Sequence, residues 1–388
     1  MVNGTATLVV DLGNSDTRVL TYFGKTSKGE HRKKLSVVSN RYSEIPEDRV
    51  ESFMNNENYS DDNSRIFKID DGTYYTNGLL CNREYGTFAQ RPSATSKKYE
   101  SLITKLTLIN AFRKGYEDVA TFTNSDMNSV DVDWKVVVEL PPADVESGAA
   151  KIAEMVKSIK EIDFCMPEIK KEISIQSVNV FPEGFCALIA TIFESKEKIR
   201  PEYAYLLDES STTLILDIGA GTSDLLLSVG NKIMQNSRFT LEIGGNNVHQ
   251  IVRGLLKQKE GVELPDNLVR KGCEKGFIMY GGKKVDIKDL IREAKSDVSK
   301  TLINGVIQFF ESKMIPIHTI NNILVVGGGA CESDVEGINP ISDYVVDYIT
   351  QRSKYISRVE LPKQIINGEE SQISPRLLNI IGAGILAE

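Results

Sequence analysis

The sequence is short of most features that would anchor a secreted, membrane-bound or metal-centred protein. Its five cysteines, Cys81, Cys165, Cys186, Cys273 and Cys331, are odd in number and widely spaced, with no CxxC pair. They offer neither a disulfide framework nor a zinc site and suit a reducing compartment. Three histidines, His31, His249 and His318, are too dispersed for a metal centre, and no HExxH occurs. No apolar run approaches the ~20 residues that a membrane-spanning helix needs, and the N-terminus lacks a secretion-signal pattern. An excess of positive charge is also missing. The net charge of −8 argues against a nucleic-acid surface as the main feature, and leaves only a local basic run at 25–34. These absences lead to the expectation of a cytoplasmic protein with no membrane partner and no direct nucleic-acid binding.

What is present is ordinary globular material: 388 residues, 41% hydrophobic and 26% charged, enough for two domains or one with large insertions. The organising stretch is 214–227. There an apolar run ends in Asp217, passes through Gly219, Ala220, Gly221 and Thr222, and resumes as a second apolar run. Apolar runs broken by glycine read as a tight hairpin. Glycines let backbone N–H groups approach an anion closely, and an aspartate at the rim fits if magnesium lies between it and a phosphate. A plain glycine turn between buried strands has the same pattern. Residues 7–20 repeat the grammar, with Asp11 followed by Gly13, Asn14 and Ser15 and then a second strand containing Arg18. Two copies indicate a duplicated domain.

Along the chain, hairpin 5–24 precedes strands at 35–40, 66–69 and 73–76, with 46–65 read as a polar loop. Apolar spacing predicts a helix within 95–116, and strand 133–140 is stopped by Pro141 and Pro142. A helix over 143–160, strand 173–181 and a helix opened by Pro182, Glu183 and Gly184 complete the first half. A connector at 196–211 leads into the second half. Beyond 214–227, a strand at 232–235 and a helix after Gly244 and Gly245 are followed by a short helix and a hairpin within 258–285. The rest comprises a long helix at 286–311, strand 323–326 ending in Gly327, Gly328 and Gly329, a helix at 340–351, strand 357–361 and a final apolar helix at 375–386. Strands interleaved with helices predict α/β layers.

With Asp11, Glu183, Asp217, Gly244–Gly245, Gly327–Gly329 and a closing Gly382 and Gly384 in this order, the chain resembles the actin-like ATPase superfamily over almost its whole length. The resemblance implies an α/β actin-like fold, two duplicated ribonuclease-H-like domains around a nucleotide cleft. It places the first domain at 1–195, with a small insertion at about 31–76 and helix 375–388 packing back onto it. The second domain is placed at 196–374, with an insertion at about 255–310. Gly13, Asn14, Ser15 and Arg18 would form the first phosphate loop, Arg18 standing where relatives carry lysine. Gly219, Ala220, Gly221 and Thr222 would form the second. Asp11 and Asp217 would hold magnesium through water, and Glu183 would orient the attacking water as in ParM. A first-turn glutamate favoured by the helix dipole is the alternative for Glu183. Gly327, Gly328 and Gly329 would pass against the nucleoside or form a plain strand–helix turn, with Gly244 and Gly245 nearby. Arg292, Glu293 and Lys295 would flank base and ribose or be solvated helix charges.

Among superfamily branches, a chaperone would carry a further substrate domain, and no acceptor base or pocket of a sugar kinase is identifiable. The ParM group of plasmid or phage segregation fits better. It implies head-to-tail polymerisation on ATP or GTP, depolymerisation after hydrolysis, and an adaptor protein bound to centromere-like DNA. The alternative is a small-molecule kinase or an ATP-dependent regulatory module of the same superfamily.

Overall fold

The computed structural model describes residues 2–13, 16–25, 31–55, 64–85, 89–90, 92, 97–166, 168–261, 263–333, 335–366 and 369–388. The chain divides into two compact units, the first reaching Pro182 and the second comprising chiefly Glu183–Leu386. The division therefore falls at Pro182/Glu183, where the sequence pattern places it at 195.

The first unit is built on a five-stranded sheet in the order Ser174–Pro182, Val130–Leu140, Val2–Leu12, Asp16–Lys25, His31–Ser39. Val2–Leu12 pairs antiparallel with Asp16–Lys25 and parallel with Val130–Leu140. The long helix Leu102–Thr123 covers one face, burying Leu106, Phe112 and Tyr116. Phe112 and Tyr116 both meet the fully buried Trp134 edge-on, at ring centroids 6.1 and 5.2 Å apart. Such edge-to-face geometry adds to the area already removed from water. A second sheet joins Tyr42–Ile45, Tyr74–Asn77, Ser64–Lys68, Glu161–Met166 and Glu168–Glu172. The small insertion therefore begins after His31–Ser39, which belongs to the main sheet, and recruits the 161–172 hairpin from far along the chain. Part of the expected loop 46–65 is the helix Glu47–Met54, whose Val50 and Phe53 are buried. Residues 56–63 lie outside the described residues.

The second unit repeats the plan. Thr212–Ile218 pairs antiparallel with Ser223–Val229 and parallel with Asn322–Val326. Its sheet runs Lys232–Ile233, Ser223–Val229, Thr212–Ile218, Asn322–Val326, Ser357–Arg358, with Phe239–Leu241 also on the Ser223–Val229 strand. In both units a hairpin is extended by an antiparallel strand on one side and by two parallel strands on the other. The expected duplication is thus present in the topology. The insertion comprises Asp266–Lys275, a hairpin of Phe277–Tyr280 with Lys283–Asp286, and the helix Lys288–Ser312. The hairpin turns through Gly281 and Gly282 at φ +55° and +74°.

The helices Phe185–Ile192 and Leu378–Ala387 belong to this second unit. Ala187, Leu188 and Leu378 share one buried cluster with Ile215, Leu226, Leu324 and Val326 of its sheet. Gly382 lies against the carbonyl of Cys186, so closely that a Cβ would collide with it. The C-terminal helix therefore packs on Phe185–Ile192, and the sheet beneath both is that of the second half.

Candidate functional site

In the first unit, antiparallel register places Arg18 directly opposite Asp11, and Arg18 Nη1 donates to Asp11 Oδ2 at 3.1 Å. Asp11 is buried, and its partner on the parallel strand is the fully buried Glu139. The intervening turn is tight. A side chain at Gly13 would run into the Asp16 carbonyl, and Asn40 Nδ2 donates to the Gly13 carbonyl. Asn14 and Ser15 lie outside the described residues. Arg18 is thus engaged with Asp11 in an ion pair in which both side chains are largely removed from water.

The glycine turn of the second unit is held from two sides. Gly219 N–H donates to the Thr222 carbonyl at 2.8 Å, closing the turn on itself. The start of helix Gly245–Glu260 docks on it, with Gly245 N–H donating to the Gly219 carbonyl at 3.0 Å and Asn246 N–H to that of Ala220 at 2.7 Å. Gly244 must be glycine, because a Cβ would meet the Gly219 carbonyl at 2.7 Å. This helix N-terminus carries the partial positive charge of its dipole, so an anion would be favoured beside it.

Asp217, at the end of its strand, is buried and accepts a hydrogen bond from Asn379 Nδ2 at 2.5 Å. Asn379 Oδ1 in turn accepts from Gly184 N–H at 2.9 Å. Asn379 therefore ties Asp217 to the turn bearing Glu183, which is itself buried. Gly327 turns at φ +83° directly over Asp217, and a Cβ there would overlap Oδ1. Gly329 is held as closely by the Ile218 side chain. Asp217, Glu183, Gly327 and the 219–222 turn are thus brought together by backbone and side-chain contacts within one unit.

Of the expected base-flanking residues, Arg292 and Lys295 hydrogen-bond a neighbouring loop and Glu293 a neighbouring helix. Arg292 Nε donates to the Gly337 carbonyl at 3.1 Å, and its guanidinium pairs with Asp289. Lys295 Nζ donates to the Asn339 carbonyl at 2.8 Å, and burial depresses its pKa to about 8. Glu293 pairs with Lys259 at 2.5 Å.

Residues 215–334 match the family model for the C-terminal part of archaeal MreB-like actin homologues. Solved structures match over the full length. The ParM filament of Clostridium botulinum, a 15-stranded assembly, is 18% identical over 98% of each chain at TM-score 0.62. The actin-like protein Alp7A is 17% identical over 100% of this chain and 96% of its own at TM-score 0.67. An archaeal actin homologue in complex with ADP is 13% identical over 99% of each chain at TM-score 0.63. The chain has an actin-like fold. None of the curated proteins compared matches it by sequence.

In the second unit, the residues fit phosphates and a hard cation. At Gly327 the backbone passes against the Asp217 carboxylate with no room for a side chain, and among the described residues no cluster of three His, Cys, Asp or Glu forms an all-protein metal cage. Magnesium is commonly held by one or two carboxylates together with its waters and phosphate oxygens. Two participants escape sequence reasoning. Glu139 interrupts an apolar strand, a signal that was legible. Asn379 sits in an apolar helix with no motif around it, and only its contacts reveal it. Among the described residues, no helix is long and apolar enough to cross a membrane.

Proposed function

We propose that this actin-like chain is a cytoplasmic, magnesium-dependent ATPase that assembles head-to-tail into filaments on binding ATP and disassembles after hydrolysis. The observation that carries this reading is the Asp217–Asn379–Gly184 chain. It holds a carboxylate suited to a hydrated cation in fixed relation to Glu183, beside a glycine turn backed by a helix N-terminus. Asp217 would hold magnesium through its waters, a role to be tried separately for Asp11 in its own unit, and magnesium neutralises charge on the transferring phosphoryl group. The N–H groups of 220–222 would bind phosphate oxygens, and Arg18 would exchange its Asp11 contact for phosphate. Glu183 would accept a hydrogen bond from the attacking water and align it. Gly327–Gly329, Gly244, Arg292 and Lys295 would border the nucleoside, with ATP and GTP both to be tried.

Filament formation is supported by the fold shared with ParM and by the MamK double helical filament, 16% identical over 99% of this chain at TM-score 0.58. A head-to-tail contact does not close on itself, so it propagates. Plasmid or phage DNA segregation, through an adaptor bound to centromere-like DNA, is the cellular role that suits a net charge of −8. Right-angle light scattering after adding ATP with magnesium tests the proposal, with ADP as control and pelleting alongside. Scattering should rise above a threshold concentration and decay as phosphate appears. A flat trace at all concentrations, with steady turnover, would replace the filament by a kinase or regulatory module.

A further inference from the structure

We propose that Asn379 is a positioning residue for nucleotide hydrolysis, its carboxamide locking the Asp217 carboxylate and the Glu183-bearing turn into one rigid unit. The inference rests on the ATPase reading above. Neither partner leaves the amide a choice of orientation. Gly184 N–H only donates, so Oδ1 must face it, which leaves Nδ2 to donate to the Asp217 Oδ2. Gly184 is the residue capping helix Phe185–Ile192 at φ +75°, and its N–H precedes that helix's own ladder. Asn379 supplies the acceptor that this N–H requires.

The side chain is itself held. Asn379 is 7% exposed in the first turn of Leu378–Ala387. Leu378 is packed among Ala187, Leu188 and Ile215, and Gly382 lies against the backbone of Cys186. Close-packed interiors do not slide, so the helix cannot shift relative to either partner without breaking both bonds. The strand end carrying Asp217 and the turn carrying Glu183 then move as one body. A carboxylate that orients a cation's waters and a carboxylate that orients the attacking water keep a constant spacing through the reaction. Pre-set geometry of this kind governs rate more than ground-state binding.

Asn379→Asp is the decisive variant. It preserves shape and the acceptor for Gly184, but sets a second carboxylate against Asp217. Two adjoining carboxylates ionise together only with difficulty, and sharing a proton relieves the repulsion. Turnover in Asn379→Asp should fall about 10- to 100-fold at pH 8, the usual range for losing an outer-shell partner. Asn379→Ala, which removes both bonds without adding charge, should lower kcat with little change in KM. The proposal is overturned if folded Asn379→Ala, with either unchanged or lowered Tm, turns over at the wild-type kcat, or if folded Asn379→Asp does so. If Asn379→Asp does not fold, the kcat against KM split of Asn379→Ala decides alone. A wild-type chain without magnesium-dependent turnover overturns the ATPase reading itself, and this inference with it.

Discussion

At Gly327 the chain turns with φ +83°, and the space a Cβ would need is taken by the Asp217 carboxylate and, at 2.7 Å, by the Ile218 carbonyl. Alanine there meets two separate costs. This positive-φ extended backbone, with ψ −171°, costs about 1–3 kcal/mol for a residue with a Cβ, and the methyl group displaces Asp217 from its place beside Asn379. Gly327→Ala should therefore lower Tm and weaken magnesium-dependent nucleotide binding at least tenfold, read by calorimetry and by titration of a fluorescent nucleotide. Lowered stability with unchanged affinity would remove Asp217 from the proposed cation site. The glycine triplet was legible because a run of glycines after an apolar strand is a local pattern. Its exact obstacle was not, because the carboxylate it avoids belongs to another strand.

The helix Lys288–Ser312 illustrates what a whole element adds to its residues. Its spacing predicts the helix at 286–311, and the observed ends differ by only one or two residues. Solvated charges and nucleoside-flanking groups nevertheless look alike in sequence. The fold half-buries Lys295 against the 335–340 loop, and burial, the largest influence, brings its pKa down to about 8 from 10.5. The folded state then releases this proton more easily than the unfolded chain. Charged Lys295 therefore costs stability below pH 8, and that cost fades as pH rises from 8 toward 10.5. Lys295→Met should show a Tm difference from wild type that is more favourable at pH 7 than at pH 10, measured by differential scanning fluorimetry. An equal difference at both pH values would mean that the burial cost lies elsewhere. The 161–172 hairpin was missed for a different reason. Glu161–Met166 gains its place by pairing with Ser64–Lys68, a contact no local pattern announces.

For the molecule as a whole, duplication is the main economy: each half makes the same hairpin with the same antiparallel and parallel neighbours. Under the proposed function, assembly answers to nucleotide binding and disassembly to hydrolysis, so the two separate in a single variant. Glu183→Gln keeps the size of the side chain and loses the carboxylate. Phosphate release should fall by about 10²- to 10⁴-fold, the range of general acid–base contributions, while light scattering still rises with ATP and then fails to decay. A variant that assembles and disassembles as wild type would return Glu183 to a capping role.

Sequence by itself determined the two hairpins, their glycine turns, the α/β alternation and the order of motifs. Each of these follows from interactions among residues close in the chain: side-chain period, glycine's conformational freedom and the proline stop after Leu140. Tertiary structure alone decided that Arg18 engages Asp11, that helix Leu378–Ala387 belongs with the second sheet, and that Asn379 joins two acidic positions. Asn379 lies 162 residues from Asp217 and 195 from Gly184. Over such separations only the packing of helix on helix and helix on sheet selects which polar groups meet.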